Sequence, residues 1–235
     1  MNYPEKLSVG DNIFDVVYEV SRGRGSSVRI KDRKVAIKLS RLSFGRARER
    51  TVEKFLNWAS DKLSNVSLHH SVLPSYVDGG SICTHNKTYL LRIVREDRGR
   101  VSSLLKDGVI YIALPFTKTV DVNLLVDRLI IKDQMEYLSD VLNELNALHF
   151  QTSFNSCHFK KISSRFGSCS SKRNISIAFR LLFAPRDVFK YVCIHELAHL
   201  IEFNHSSRFW ALVLEAMSNY KEQEKWLKYN GFMLG

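Results

Sequence analysis

The stretch His195-Glu196-Leu197-Ala198-His199, with His205 six residues on, constrains this chain more than any other feature, because it asks for a helix that holds a metal ion. A helix turns by about 100° per residue, so side chains four apart stand one above the other. The imidazoles of His195 and His199 can therefore aim one nitrogen each at a single ion. Catalytic zinc usually takes three protein ligands and leaves a fourth position to water, whose pKa falls to about 7. Glu196 follows the first ligand directly, where a carboxylate stands beside that water and can act as general base. Glu196 is thus the candidate catalytic residue, and zinc the expected cofactor.

The surrounding residues suit such a helix. Pro185 fits a first helical turn, and Ile194, Leu197 and Ile201 form an apolar stripe away from the histidine face. Asn204 tolerates the left-handed conformation that ends many helices, so the chain can turn there and bring His205 back as the third ligand. Glu215, from the next helix, is the competing ligand. Glu202 lies near the histidine face and could support a ligand from the outer shell. Position 202 would be glycine in a metzincin, and here it is Glu202. Phe209 and Trp210 are expected to lock the last two helices together.

Elsewhere the chain reads as strands first and helices later. Residues 12–40 alternate apolar and polar in short runs broken by Arg22-Gly23-Arg24-Gly25, which predicts strands and turns. A helix follows at 46–64, then strands at 87–95 and 108–114. Val122, Leu125, Leu129, Leu138, Val141, Leu142, Leu145 and Leu148 keep helical spacing, which predicts one long helix over 121–149. Strands at 156–163 and 174–182 are joined by a turn at Gly167–Arg173. After the histidine helix, a last helix runs over 207–229 and stops at Asn230-Gly231. No internal repeat or low-complexity tract is evident.

At 235 residues with 45% hydrophobic content, the chain can bury a substantial core in one large or two small domains. No apolar run reaches the roughly 18 residues of a membrane span, and the first residues lack the pattern of a signal peptide, so a cytoplasmic location is expected. Cys83, Cys157, Cys169 and Cys193 show no paired spacing, which points to reduced, mostly buried thiols; Cys169 lies in a turn near the expected cleft. Residues 21–54 hold twelve Lys/Arg against Asp32, Glu49 and Glu53, a formal +9 of the chain's +11. Such a surface can neutralise phosphates and makes nucleic acid a possible partner.

The run RFGSCSSKRNISIAFRLLFAP (Arg165–Pro185), followed by HELAHLIEFNHSSRFW (His195–Trp210), resembles the YgjP-like metallopeptidases, relatives of the SprT and WLM zincins. The likeness extends more loosely to the strands near 12–40, the Trp58 segment and the strands at 86–115. Phe166 and Phe179 stand where that family usually has Trp, and Ala178 where it often has Asn. The resemblance implies His195, His199 and His205 as metal ligands, Glu196 as the catalytic glutamate, and a peptide or protein substrate. It also implies an α+β fold: a β-rich basic N-terminal region over 1–116 and a zincin-like core over 117–235, or one continuous domain over about 12–230. In a zincin the strand beside the metal helix offers an open edge to a peptide. Asn174–Phe179 is the expected edge, with Asn174 and Arg165 as candidate substrate contacts. Two other classes remain: a metal-dependent hydrolase of a nucleotide or phosphate ester, and a metal-stabilised nucleic-acid-binding module without turnover.

Overall fold

The computed structural model describes residues 3–10, 12–31, 34–64, 76–97, 99–117 and 119–234. The chain is α+β, with sheets in its N-terminal half and helices later. It divides into two compact units, chiefly Met1–Ser71 with Lys225–Met233, and Val72–Glu224. The expected division at 116/117 falls inside the second unit, because the helix after it packs on the strands before it.

In the first unit, β1 (Lys6–Val9), β2 (Asn12–Ser21), β3 (Ser27–Lys31) and β4 (Lys34–Ser40) form a sheet of order β1-β2-β4-β3. The alternating residues Phe14, Val16, Val35, Ile37 and Leu39 are buried, as period-2 patterning requires. Helix α1 (Gly45–Ser64) adds Val52, Ala59 and Leu63 to the same core. Each buried Val, Ile, Leu or Phe side chain of this core contributes about 1.5–3 kcal/mol by leaving water. The basic residues of 21–54 stand on both the sheet and the helix, and Arg22, Arg24, Arg29, Arg46 and Arg50 are exposed. The Lys31 side chain, Asp32 and Arg33 lie outside the described residues.

In the second unit, β5 (Ser81–Cys83), β6 (Thr88–Glu96), β7 (Ser102–Lys106) and β8 (Val109–Pro115) form a sheet of order β5-β6-β8-β7. Its topology is that of the first sheet, and so is its register. Adding 75 to the residue numbers turns Lys6↔Asp15 into Ser81↔Leu90, Asp15↔Lys34 into Leu90↔Val109, and Ser27↔Lys38 into Ser102↔Ala113. The buried positions correspond as well: Phe14 with Tyr89, Val16 with Leu91, Val35 with Ile110, Ile37 with Ile112 and Leu39 with Leu114. The expectation of no repeat is therefore corrected. Over the aligned stretches 6–40 and 81–115 only Ser27, Lys31, Asp32, Ile37 and Leu39 are identical to their counterparts, so the repeat survives in the burial pattern rather than in the letters. Between β7 and β8, Asp107 and Gly108 both have positive φ (51° and 76°), as a tight primed hairpin turn demands.

The predicted long helix is two. Helix α2 (Val122–Asp133) is capped by Asp121, whose carboxylate accepts from the N–H groups of Asn123 and Leu124, and it packs across β7 and β8. Gln134 interrupts it with φ −90° and ψ 1°, and α3 (Met135–Leu145) begins there. The Gln134 side chain is buried; its amide donates to the Tyr89 hydroxyl at 2.5 Å and accepts from Asn86 at 2.9 Å. The Tyr89 hydroxyl donates in turn to Asp133 at 2.6 Å. A buried amide must find partners, and the sheet supplies them where helical periodicity alone would run on. A π-helical turn, Asn146–Phe150, ends α3, and Gln151 leaves it in the left-handed region.

A third sheet carries the remainder: β9 (Ser156–Lys160), β10 (Gly167–Cys169) and β11 (Asn174–Ala178), in the order β10-β11-β9. β11 runs antiparallel to β10 and parallel to β9. Part of the expected turn at Gly167–Arg173 is thus a strand, and the residues expected to extend a strand to 182 form a 3-10 turn, Phe179–Phe183. Helix α4 (Arg186–Ala198) follows with Pro185 at its cap, then α5 (Ser207–Ala216) and α6 (Tyr220–Asn230). The single expected last helix is broken at Met217, whose backbone is extended. No described helix is long and apolar enough to cross a membrane.

Candidate metal centre

His195 occupies the last turn of α4, His199 caps that helix, and His205 stands in the turn before α5. Their ligand atoms lie within 4.8 Å of one another. The turn that returns His205 uses no left-handed residue: Asn204 does not have positive φ, contrary to expectation. Because α4 ends at Ala198, Ile201 lies beyond the helix and is 43% exposed, while Ile194 and Leu197 are buried. Ser206 caps α5 by accepting from the Phe209 N–H at 3.3 Å, which fixes where that helix starts.

The donor set suits a metal. Nε2 of His195 and Nε2 of His205 face each other at 3.0 Å, near the roughly 3.3 Å edge of a tetrahedron with bonds of about 2.05 Å. Nδ1 of His199 donates to the Glu202 carbonyl at 3.1 Å, which orients the ring and leaves Nε2 for the ion. Glu202 thus supports His199 through its backbone, and its carboxylate faces Arg208 at 3.8 Å. Glu215, the alternative ligand, is exposed on α5 and outside the cluster. Burial, then the charges of His199 and His205, lower the His195 pKa to about 3; burial chiefly lowers that of His199. Both rings are therefore neutral near pH 7, the form that binds a metal.

Aromatic rings hold the imidazoles. Phe209, fully buried, has its centroid 4.8 Å from His195, 4.6 Å from His199 and 4.7 Å from His205. Trp210 stacks on His205 at 5.8 Å and on Tyr220 at 5.4 Å, and Tyr220 stacks on Tyr191. Tyr191 meets His195 edge-on, so the stack returns to the site. Phe209 and Trp210 do pack the last elements together, and they do so through the three imidazoles. The parts played by Tyr191 and Tyr220 escape a sequence reading, which sees only aromatics at helical spacing.

Glu196 points from α4 to β10. One of its carboxylate oxygens accepts from the Cys169 backbone N–H, and the other is buried with no hydrogen-bond partner among the described residues. Burial raises its pKa to about 8, against the charge of Arg165 and the Cys169 N–H. Gly167 makes this approach possible: a Cβ there would lie 2.4 Å from the carboxylate. Cys169 matters through its backbone. Its thiol pKa is raised by burial and then by the charge of Glu196. The four thiols are free, with only Cys193 buried and Cys83 exposed.

Arg165 is exposed, close enough for its charge to reach Glu196. The residue that positions it is Arg180, buried over the Phe166 ring and donating to the carbonyls of Ser163 at 3.0 Å and Arg165 at 3.3 Å. Asn174 is not part of this centre. Gly167 pairs with Ile177, so the direction from Gly167 toward Glu196 is that of Ile175 and Ile177, while Asn174 alternates to the other face. Nor is Asn174–Phe179 an edge, because β11 is the middle strand. β10 is an edge strand of this sheet. Phe166, Ser168 and Ser170 pair with β11, so the backbone groups of Gly167 and Cys169 point away from it.

A family model described as "YgjP-like, metallopeptidase domain" matches residues 24–230. No curated protein matches the sequence. Among solved structures, the metallopeptidase zymogen abylysin of Pyrococcus abyssi is 24% identical, with 37% of this chain and 89% of that one covered and a TM-score of 0.35. Jannalysin, a metallopeptidase zymogen of Methanocaldococcus jannaschii, is 21% identical, with 37% and 90% covered and a TM-score of 0.33.

Proposed function

Since the chain belongs to the YgjP-like metallopeptidase family, we propose that it is a zinc-dependent peptidase, with His195, His199 and His205 as ligands and Glu196 as general base. The observation that carries this reading is the convergence of three imidazoles, those of His195 and His199 with lowered pKa, and one buried carboxylate where α4 ends. Zinc, when bound, would acidify a water and polarise the carbonyl under attack. Glu196 would take the proton of that water on the carboxylate oxygen left free by Cys169 and pass it to the leaving amine. The rigid hold of β10 on Glu196 keeps the base in place, and the charge of Arg165 offsets part of its desolvation.

The peptide would add as a strand along the edge of β10, meeting the backbone groups of Gly167 and the Cys169 carbonyl, while the Cys169 N–H stays on Glu196. Neither alternative class draws comparable support. The one metal-binding cluster among the described residues contains three histidines and no carboxylate, unlike the acidic two-metal sites of many phosphoryl-transfer enzymes. Nucleic-acid contact through residues 21–54 draws no support from the family match.

The test is hydrolysis of an unfolded protein substrate by zinc-loaded protein. Glu196→Gln should keep one zinc per chain and the parent melting temperature while activity falls by about 10² or more. Gly167→Ala should also retain zinc yet lose activity, because its Cβ displaces Glu196. Equal turnover in the Glu196→Gln variant would overturn the mechanism.

A further inference from the structure

From Leu145 to Arg186 the chain has no Asp or Glu, where its average composition would place about four in 42 residues, and it has seven Lys/Arg. This stretch builds the third sheet, and the structure accounts for most of its cations. Lys161 pairs with Asp127 at 2.5 Å. Arg173 donates to the Ser153 carbonyl and the Thr152 hydroxyl, each at 2.6 Å. Arg180 is buried on Phe166, and Arg165 lies within reach of Glu196. Lys160 and Lys172 take part in no ion pair among the described residues.

Both lysines line one pocket of about 380 Å³, on the sheet face opposite α4, within the roughly 300–1,000 Å³ range of small-ligand sites. His158, Ser168, Asn174 and Ser176 line it too, and no carboxylate does. Ser176 is only 2% exposed, and its hydroxyl meets Nε2 of His158 at 3.1 Å. Asn174 accepts from the Ser156 hydroxyl at 3.0 Å through its side-chain oxygen, which fixes the amide and leaves its N–H groups as donors. Burial, then the charge of Lys160, lower the His158 pKa, so the pocket's positive charge comes from the lysines.

We propose that this pocket binds a small oxyanion of the phosphate type, with Lys160 and Lys172 supplying the charge and Ser168, Asn174 and the His158–Ser176 pair the neutral hydrogen bonds. An ordinary solvated sheet face mixes charges of both signs. This one offers donors and two uncompensated cations around a concavity, and that is what an anion needs. The site is separate from the histidine cluster, since β10 and β11 turn alternate residues to it and to α4.

The probe is inorganic phosphate, titrated into zinc-loaded protein at constant ionic strength against chloride, with backbone amide shifts as the readout. Saturable shifts should appear at Ser168, Lys172, Asn174 and Ser176. Lys160→Gln/Lys172→Gln should weaken binding at least tenfold with the remaining spectrum unchanged, and Ser176→Ala should weaken it by a smaller factor. Shifts reproduced by chloride would overturn the proposal. So would phosphate shifts confined to His195–His205 that survive the double substitution, because they would put the anion on the metal.

Discussion

The modules at 6–64 and 81–139 share strand order, register and buried positions, yet they put their helices to different uses. In the first, α1 runs for 20 residues without a break and closes on its own sheet. In the second, the helix stops at Gln134, and the chain is redirected into α3, which packs against β9 and against α4, the helix that carries His195. Two aligned positions account for the difference. Where the first module has Phe14 beneath its helix, the second has Tyr89, whose hydroxyl holds Asp133 and Gln134. Where the first has the small, buried Ala59 inside α1, the second has Gln134 at the break. Charge differs as well: the first module carries 14 Lys/Arg against 7 Asp/Glu, the second 9 against 7. One scaffold thus yields a closed basic module and a platform for a metal centre.

Equivalent core deletions should break the comparison most strongly. Ile37→Ala and Ile112→Ala each remove a fully buried side chain and should cost about 2–5 kcal/mol. Their consequences should separate. Ile112→Ala should lower zinc affinity and peptidase activity along with the melting temperature, because its sheet supports α2 and, through α3, α4. Ile37→Ala should leave zinc content unchanged in the folded protein. Equal zinc loss in both, measured by metal analysis across the melt, would mean that the modules do not differ in what they support.

A smaller effect tests the hydroxyl. Tyr89→Phe makes the second module resemble the first and strands the Gln134 amide, which should cost about 1–3 kcal/mol. Adding Gln134→Ala should recover part of that loss, since the buried group left without a partner is then gone. Chemical denaturation of the single and double variants provides the cycle. Strictly additive losses would show that the hydroxyl and the amide are not coupled.

These devices are unequally legible in the sequence. HExxH can be read because helical spacing alone brings His195 and His199 together, and the burial of Ile194 and Leu197 follows from the same periodicity; His205 returns through a turn without the expected left-handed Asn204, and Ile201 lies beyond the helix. The break at Gln134 cannot, because a polar residue within an apolar pattern looks solvent-facing until the sheet beneath it is known. β10 is three residues long and contains glycine, so it reads as a turn; its partner β11, the more apolar run, is the natural but wrong candidate for the open edge. The face of Asn174 depends on the pairing of Gly167 with Ile177, a tertiary fact. Gly167 itself looks like a loop glycine until Glu196 is placed against it.

The charge difference should have the smallest effect on stability. Arg46 and Arg50 are exposed and Arg48 is partly so, and substitutions at such surface sites usually fall within about 0.5 kcal/mol. Reversing all three to Glu should therefore leave the melting temperature, zinc content and peptide hydrolysis close to the parent's. Only association with polyanions should respond. Every phosphate that the reversed patch no longer neutralises would flatten the slope of log affinity against log salt by about 0.9 for duplex DNA, which a salt series with a mixed-sequence duplex would read. A parent that binds no duplex at low salt makes the first module's charge a solvated surface, and the modules then differ in function only through Tyr89 and Gln134. A parent whose salt slope falls on reversal gives the closed module a role of its own.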